Sequence, residues 1–471
     1  MKSFFQKIWK PLLLLVPTVI GMIGFWQEGE SLLQALFNCV CMYVLNYQDP
    51  PANIWIELSR WLAPLATASG LVLVLSAVRV YFRRFLAYCT QNSVAVYGTG
   101  PEKNAILKAL GIQGIPMGHN PVKAKKYILV GTEEENLAYY RQNETIMAGR
   151  DVYLKCQSLP AQASAHANLH LFCPEETAAR FYWKEHCPYL QSAACGHQMK
   201  IVILGFDKLG QELLLQALQN NIFDPKQRIE YHVFGPAGSF FAIYQQLSQI
   251  SDPVTLHPEP WYDALDLLAK ADRIIVTQQE QQTALLRELT FAVWDKPIHV
   301  FASQSYGAVL LPNLIYFDWL AATHCPENIL DTHIHIYAKR INLRYAHLYN
   351  GIEETDTNRE QEWNALSTFT RYSNISAADY HEVQKKILHW DGLPDPMEPD
   401  CLERFSELEH IRWCRYHYLN NWQYGIPENG EAKDPARRIH KCLIPYDKLP
   451  EAEKEKDREN IRILFTLDAE F

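Results

Sequence analysis

The chain has 471 residues and a formal net charge of -9, with 48% hydrophobic residues. That length predicts more than one domain, and the acidic balance argues against a nucleic-acid binder that works by bulk charge. Eleven cysteines are scattered without a C-x-x-C pair, which argues against a zinc site and for reduced thiols; the cluster His186, Cys187, Cys195 and His197 has poor ligand spacing and reads as a loop.

In chain order, Lys2, Lys7 and Lys10 precede an apolar run from Pro11 to Trp26. Its charged start fits a signal peptide, but no small-x-small cleavage site follows, so a first transmembrane helix is the expectation. A second run, Trp61 to Val78, carries no charge and ends at Arg79, Arg83 and Arg84. Its length of about 18 residues suits a membrane span. The basic residues before the first run and after the second put both termini on the cytoplasmic side. Between them, Leu32, Leu33, Leu36, Phe37 and Val40 have helical spacing behind a candidate cap, Ser31.

Val44, Leu45, Asn46, Tyr47, Gln48 and Asp49 follow that short helix. This stretch resembles the V-G-Y-G-D filter of potassium channels in its Tyr and Asp, while both glycines are missing. The resemblance implies pore residues Leu45, Asn46, Tyr47, Gln48 and Asp49 with a selectivity the residues do not define, since Gln adopts strained filter backbone poorly. The alternative is an interfacial helix on the outer leaflet.

A repeat follows. Ser93 to Leu107 matches Lys200 to Leu214, each an apolar strand, a glycine turn and an amphipathic helix. Lys126–Gly131 pairs with Arg273–Gln278, Asp151–Cys156 with Lys296–Phe301, and Leu169–Cys173 with Leu314–Phe317. Apolar strands alternating with helical stretches predict two doubly wound parallel sheets. This pattern resembles the tandem RCK (TrkA-N) domains that follow the inner helix of ligand-gated potassium channels. The dinucleotide fingerprint is incomplete: Gly98 and Gly100 lack a third glycine, and Gly205 and Gly210 flank Phe206 and Asp207, where a second glycine would admit a pyrophosphate. These four glycines are the candidate nucleotide-binding residues, but an oligomerisation and lever layer is the preferred reading over NAD binding.

After a polar linker from Gly351 to Glu362 comes a helix-rich region with a specific signature: E-H-x-R-W at 409–413, W-x-Y-G at 422–425, and the stretch from His440 to Arg458. It closely resembles the RyR domain, named for the repeats of ryanodine receptors and found alone in bacteria. Asn421 stands for the usual glycine and Lys441 for the usual proline. Candidate ligand-binding residues are Glu409, Arg412, Trp413, Tyr416, Trp422, Tyr424, His440, Tyr446 and Arg458, with Arg437, Arg438 and Lys441 in a basic loop. Rings to stack, bases for phosphate and an acid for hydroxyls would suit a nucleotide or ADP-ribose-like ligand. The alternative is scaffold: Trp413 and Trp422 in a core, and Glu409 in an ion pair. Lys454 to Arg458 reads as a solvated helix face, and no residue pattern points to catalysis.

The expected fold class is thus α/β plus membrane helices: a two-helix membrane hairpin with a re-entrant helix (1–90), two Rossmann-like doubly wound domains (91–198 and 199–350) and a helical RyR domain (361–471). The resemblances imply a multi-pass inner-membrane homotetramer in the lipid bilayer, passing monovalent cations, with no nucleic-acid partner. It would be gated by a small nucleotide-derived ligand, as an effector of bacterial stress or phage defence. The alternative function is a non-conducting, membrane-anchored nucleotide-binding regulator of potassium transport.

Overall fold

The computed structural model describes residues 15–89, 92–156, 168–302, 313–330, 335–393, 395–428 and 430–469, with the side chains of 70, 72–77, 79–81, 83, 84, 86–88, 468 and 469 excepted. The chain divides into two compact units, Met1–Ser93 and Val94–Phe471.

In the first unit, α1 (Val16–Gln27), α2 (Leu32–Tyr43) and α3 (Ile54–Cys89) pack around Phe25, Ala35, Cys39, Met42, Ile56 and Ala63. Small residues let α1 and α3 approach closely: a Cβ on Gly21 would lie 2.7 Å from both Cys39 Sγ and Ser59 Oγ. Ser31 does cap α2, accepting a hydrogen bond from the Gln34 amide. The filter-like loop holds Leu45 at φ +58°, the left-handed backbone a glycine would take at no cost. Tyr47 turns back onto Phe25 with ring centroids 5.7 Å apart, while Asn46, Gln48 and Asp49 are exposed.

The expectation of a membrane hairpin with a re-entrant helix, and with it a multi-pass inner-membrane location, is corrected here. No helix among the described residues is long and apolar enough to cross a membrane. The 12 described residues of α1 span roughly 18 Å, against a hydrocarbon core of about 30 Å. α3 has 36 residues, but its described part carries Glu57, Ser59, Arg60, Thr67 and Ser69, and the last two turn their hydroxyls onto backbone carbonyls. Most of the apolar stretch after Ser69, and Arg79, Arg83 and Arg84, have side chains outside the described set, as does the first run before Leu15.

The second unit opens on a five-stranded, all-parallel sheet of β1 (Val94–Tyr97), β2 (Gly114–Pro116), β3 (Lys126–Leu129), β4 (Asp151–Lys155) and β5 (Leu169–Phe172), in the order β2-β1-β3-β4-β5. α4 (Gly100–Leu110), α5 (Glu133–Gln142) and α6 (Pro174–Glu185) connect or follow these strands. A six-stranded parallel sheet comes next: β6 (Gln198–Leu204), β7 (Arg228–Phe234), β8 (Val254–His257), β9 (Arg273–Val276), β10 (Ile298–Ala302) and β11 (Leu314–Asp318), ordered β11-β10-β9-β6-β7-β8. This is the doubly wound order in which a crevice opens where the sheet reverses direction, between β6 and β9. Both sheets are Rossmann-like, and their strands read as continuous apolar runs because both faces are covered.

The remaining long helices are α7 (Lys208–Asn220) and α8 (Gln282–Ala292), which belong to the second sheet, then α9 (Ile336–Asn350), α10 (Asp356–Ala365), α11 (Thr368–Trp390), α12 (Pro399–Leu419) and α13 (Glu451–Ala469). β12 (Gln423–Tyr424), β13 (Lys433–Asp434) and β14 (Ile439–His440) form a small sheet. α11, α12 and α13 are fused to the second sheet rather than tethered: one apolar core runs from Ile201, Leu213 and Leu218 to Tyr380, Phe405 and Leu464. Polar contacts lock the same seam. Arg180 donates two hydrogen bonds to Asp379 (2.6 and 3.0 Å), and the Tyr380 hydroxyl donates to the Ile222 carbonyl (2.8 Å).

Candidate functional site

α12 displays two functional faces side by side. Residues three, four and seven apart share a helix face, so Glu409, Arg412 and Tyr416 form one row, and His410, Trp413 and His417 the next. The first row turns inward. Arg412 donates from Nε and Nη2 to the two Glu409 oxygens (2.9 and 2.8 Å), and from Nη1 to Ser376 Oγ (3.0 Å). Both side chains are 1–2% exposed. Charges this buried must be paired, and this pair fills its geometry without leaving a group for a ligand. Tyr416 donates to the Phe369 carbonyl at 2.6 Å.

His410 and Trp413 of the second row face a cavity of about 490 Å3, within the usual range of small-molecule sites. Its rings come from three directions. His410 stacks on Trp413 (5.7 Å, 22°), His440 meets the Trp413 ring at 4.8 Å and 79°, and Tyr345 and Tyr349 of α9, which line the same cavity, stack on each other at 5.9 Å. α13 supplies the polar wall of Glu453, Lys456, Asp457 and Asn460.

Electrostatics divides the imidazoles. His410 Nδ1 is 3.2 Å from an Asp457 oxygen, and its Nε2 lies 2.9 Å from the Ile444 carbonyl. Two acceptors require two N–H groups, which only the imidazolium has. Burial opposes that charge, but the hydrogen bonds to Asp457 and Cys414 outweigh it and push His410 up to about 10. His440 accepts from the Cys442 amide at Nδ1 (3.1 Å), so that nitrogen carries no proton; burial, then Lys433, pushes it down to about 4. Burial likewise takes His417 down to about 3. Glu453 accepts from Lys456 at 2.8 Å. The wall therefore presents two compensated charge pairs. Asn460 spends its amide on Glu409 (3.0 Å), leaving Oδ1 buried with no partner among the described residues. A buried acceptor left unmade costs about 1–3 kcal/mol, which a ligand N–H or O–H would recover.

The raised His410 sets a pH dependence. Its folded value lies above the unfolded value near 6.5, so its contribution to stability is complete below about 6.5 and lost as pH rises through about 10. Urea midpoints should fall progressively between these limits, and His410→Gln should remove that alkaline slope; an unchanged slope would contradict the assignment.

The other predicted residues sit elsewhere. Trp422 is buried against Phe369 (5.3 Å, 28°) and His417, as core. Tyr424 is exposed on β12. Tyr446 is buried beneath Lys454, whose ammonium lies 5.1 Å from the ring centre. Arg458 is held by Glu403 (2.7 and 3.2 Å) and Glu455 (3.0 Å), as structural pairing. Arg437 pairs with Glu428 at 2.7 Å and Arg438 donates to the Asn420 carbonyl, so the basic loop is tied down. The cavity thus gathers Trp413 and His440 from the sequence expectation. It adds His410 and Asp457, both inside the quoted signature, and Tyr345, Tyr349 and Asn460, which no motif marked.

The glycine turns serve packing. A Cβ on Gly205 would lie 2.5 Å from the Gln278 amide nitrogen, and one on Gly210 2.1 Å from the Gly205 oxygen. Phe206 is fully buried against Phe240, and Asp207 caps α7 by accepting from the Gly210 amide, so the anion position at that helix start is filled by the chain itself. Gly205 also has φ +103°. Gly205→Ala should destabilise the fold by about 2 kcal/mol or more, read as a lowered urea midpoint. In the first sheet, Gly98 (φ +127°) and Gly100 (φ +83°) flank a cavity of about 280 Å3 whose walls include Glu102, Glu133 and Glu135. Glu102 takes Lys155 at 2.7 Å, so the lysine of this cavity is already held by an acid.

The RyR domain family matches residues 393–467, spanning all of α12, the small sheet and most of α13. No characterised protein matches the chain.

Proposed function

We propose that this chain is a ligand-responsive regulatory protein whose RyR domain binds a nucleoside or other small nucleotide-derived molecule between Trp413 and α9. The observation that carries the reading is the cavity of about 490 Å3 walled by Trp413, His410, Tyr345 and Tyr349, with the orphaned Asn460 acceptor at its wall. Aromatic rings from two helices suit a flat base. The acceptor asks for a donor, such as an exocyclic amine or a ribose hydroxyl. Because the charges of His410, Asp457, Glu453 and Lys456 balance, the site favours a ligand with few phosphates.

Coupling follows from where the walls come from. Tyr345 and Tyr349 lie outside the RyR match, on the helix that follows the last strands of the second Rossmann-like sheet. A ligand closing on both walls would bias α9 against α12 and α13, and so the sheet fused to them. The tandem sheets would then act as the lever layer that the RCK resemblance implies, with homotetramer assembly as part of the same reading. Conduction of cations is not carried into it, because no helix among the described residues is long and apolar enough to cross a membrane.

Calorimetry of the full chain with adenosine, AMP and ADP-ribose tests the reading. At least one is expected to bind with Kd below about 100 µM, and failure of all three to bind below about 1 mM would overturn it.

A further inference from the structure

We propose a second binding site, for a small protonated amine, in the cavity between α6, which follows the first sheet, α7 of the second sheet, and α11 and α12. It has a volume of about 240 Å3, below the range of drug-sized sites, so its occupant is small.

Two of its three acids are already neutralised. Glu212 accepts from Lys208 one turn before it on α7, and Asp379 accepts from Arg180 Nε and Nη2. Glu176 also lines the cavity, and no side chain among the described residues pairs with it. Around it stand the rings of Tyr244, Phe369, Tyr372 and Tyr416. Tyr416 spends its hydroxyl on the Phe369 carbonyl, whereas those of Tyr244 and Tyr372 have no partner among the described residues. Aromatic faces around one uncompensated carboxylate form the arrangement that attracts an organic cation. An anion would meet three acids against Lys208 and Arg180, and a neutral molecule would gain nothing from ionised Glu176.

Proton linkage gives the site a signature. With the cavity empty, burial and then Glu212 push Glu176 up to about 8, against the pull of Arg180 and Lys208. The groups facing it are Arg180 on its own helix, Lys208 and Glu212 on α7, Tyr372 and Asp379 on α11, Tyr416 on α12, and Tyr244. Amine binding captures the ionised form, so affinity rises as pH is raised toward about 8, with release of a proton.

The test is calorimetry of the full chain with phenethylamine at pH 6.5 and 8.5, beside its neutral isostere 2-phenylethanol. The amine is expected to bind at least about tenfold more tightly than the alcohol, and more tightly at the higher pH. Glu176→Gln, which replaces a buried acid by an amide and so should melt no lower than the parent, is expected to lose that preference and the pH dependence. Phe369→Leu, which keeps the carboxylate, should weaken the amine several-fold, whereas Trp413→Ala should leave it unchanged and so separates this site from the RyR cavity. Tighter binding of Nα-acetyl-lysine amide than of phenethylamine would support an amine site supplied by a peptide lysine. Equal affinity for amine and alcohol, an unaltered Glu176→Gln or Phe369→Leu, or no amine binding would overturn the proposal.

Discussion

Asp252→Ala is expected to destabilise the body formed by the second Rossmann-like unit and the RyR domain by about 3–5 kcal/mol, the range found when one partner of a buried ion pair is removed. Asp252 and Arg415 are 0% and 3% exposed at the side chain and meet at 2.7 Å. Asp252 also accepts from the Ile229 amide and the Gln227 side chain, both at 2.8 Å, while Arg415 donates to the Leu218 carbonyl at 3.2 Å and to Ser251 Oγ at 3.3 Å. Truncating the acid strands a guanidinium and two donors where water cannot reach them. Arg415→Met in the same chain should recover only part of the loss, because the Ile229 amide and the Gln227 amide stay unanswered. Urea unfolding followed by tryptophan fluorescence reads both variants. A loss below about 1 kcal/mol would show that the seam is hydrated, since pairs in water contribute that little.

That seam also marks where sequence reading stopped. The parallel strands were legible because buried strands spell continuous apolar runs and the turns after them need glycine at positive φ, as at Gly98 and Gly205. The RyR signature was legible in the same way, as a run of residue types at fixed spacing. What sequence could not assign was the direction of each side chain. Arg412 and Trp413 are neighbours in the chain, yet one helical step sends the first into a closed ion pair and the second into a cavity. The run from Lys454 to Arg458 reads as solvated charge, but Asp457 turns inward onto His410 and Lys456 lines the cavity. Tyr345 and Tyr349 reach the site from a helix before the signature, a proximity created by tertiary packing alone. The apolar runs near the start of the chain misled for a different reason. Residue types alone do not show how long each helix is or which polar side chains interrupt it, and the 12 described residues of α1 are too few to span.

Trp413→Ala is expected to weaken whichever of adenosine, AMP or ADP-ribose the chain binds by about 1–3 kcal/mol, roughly 5- to 150-fold in Kd, the cost of losing one base–aromatic stack. The ring is placed for this: His410 stacks on it at 5.7 Å, and His417 and His440 approach at 4.0 and 4.8 Å, so it is held in one orientation before a ligand arrives. A preorganised ring loses little entropy on binding, so its removal falls mainly on the complex. Trp413→Phe should retain most of the affinity, because the smaller ring still stacks, and this separates stacking from mere filling of space. Part of the effect of alanine would be structural, since the three imidazoles lose their support. The melting temperature of the free protein measures that part, and the shift that ligand adds to it measures the rest. If Kd changes less than about threefold in the alanine variant while the ligand still stabilises the protein, the base does not stack on Trp413, and the wall of Tyr345 and Tyr349 would have to carry recognition instead.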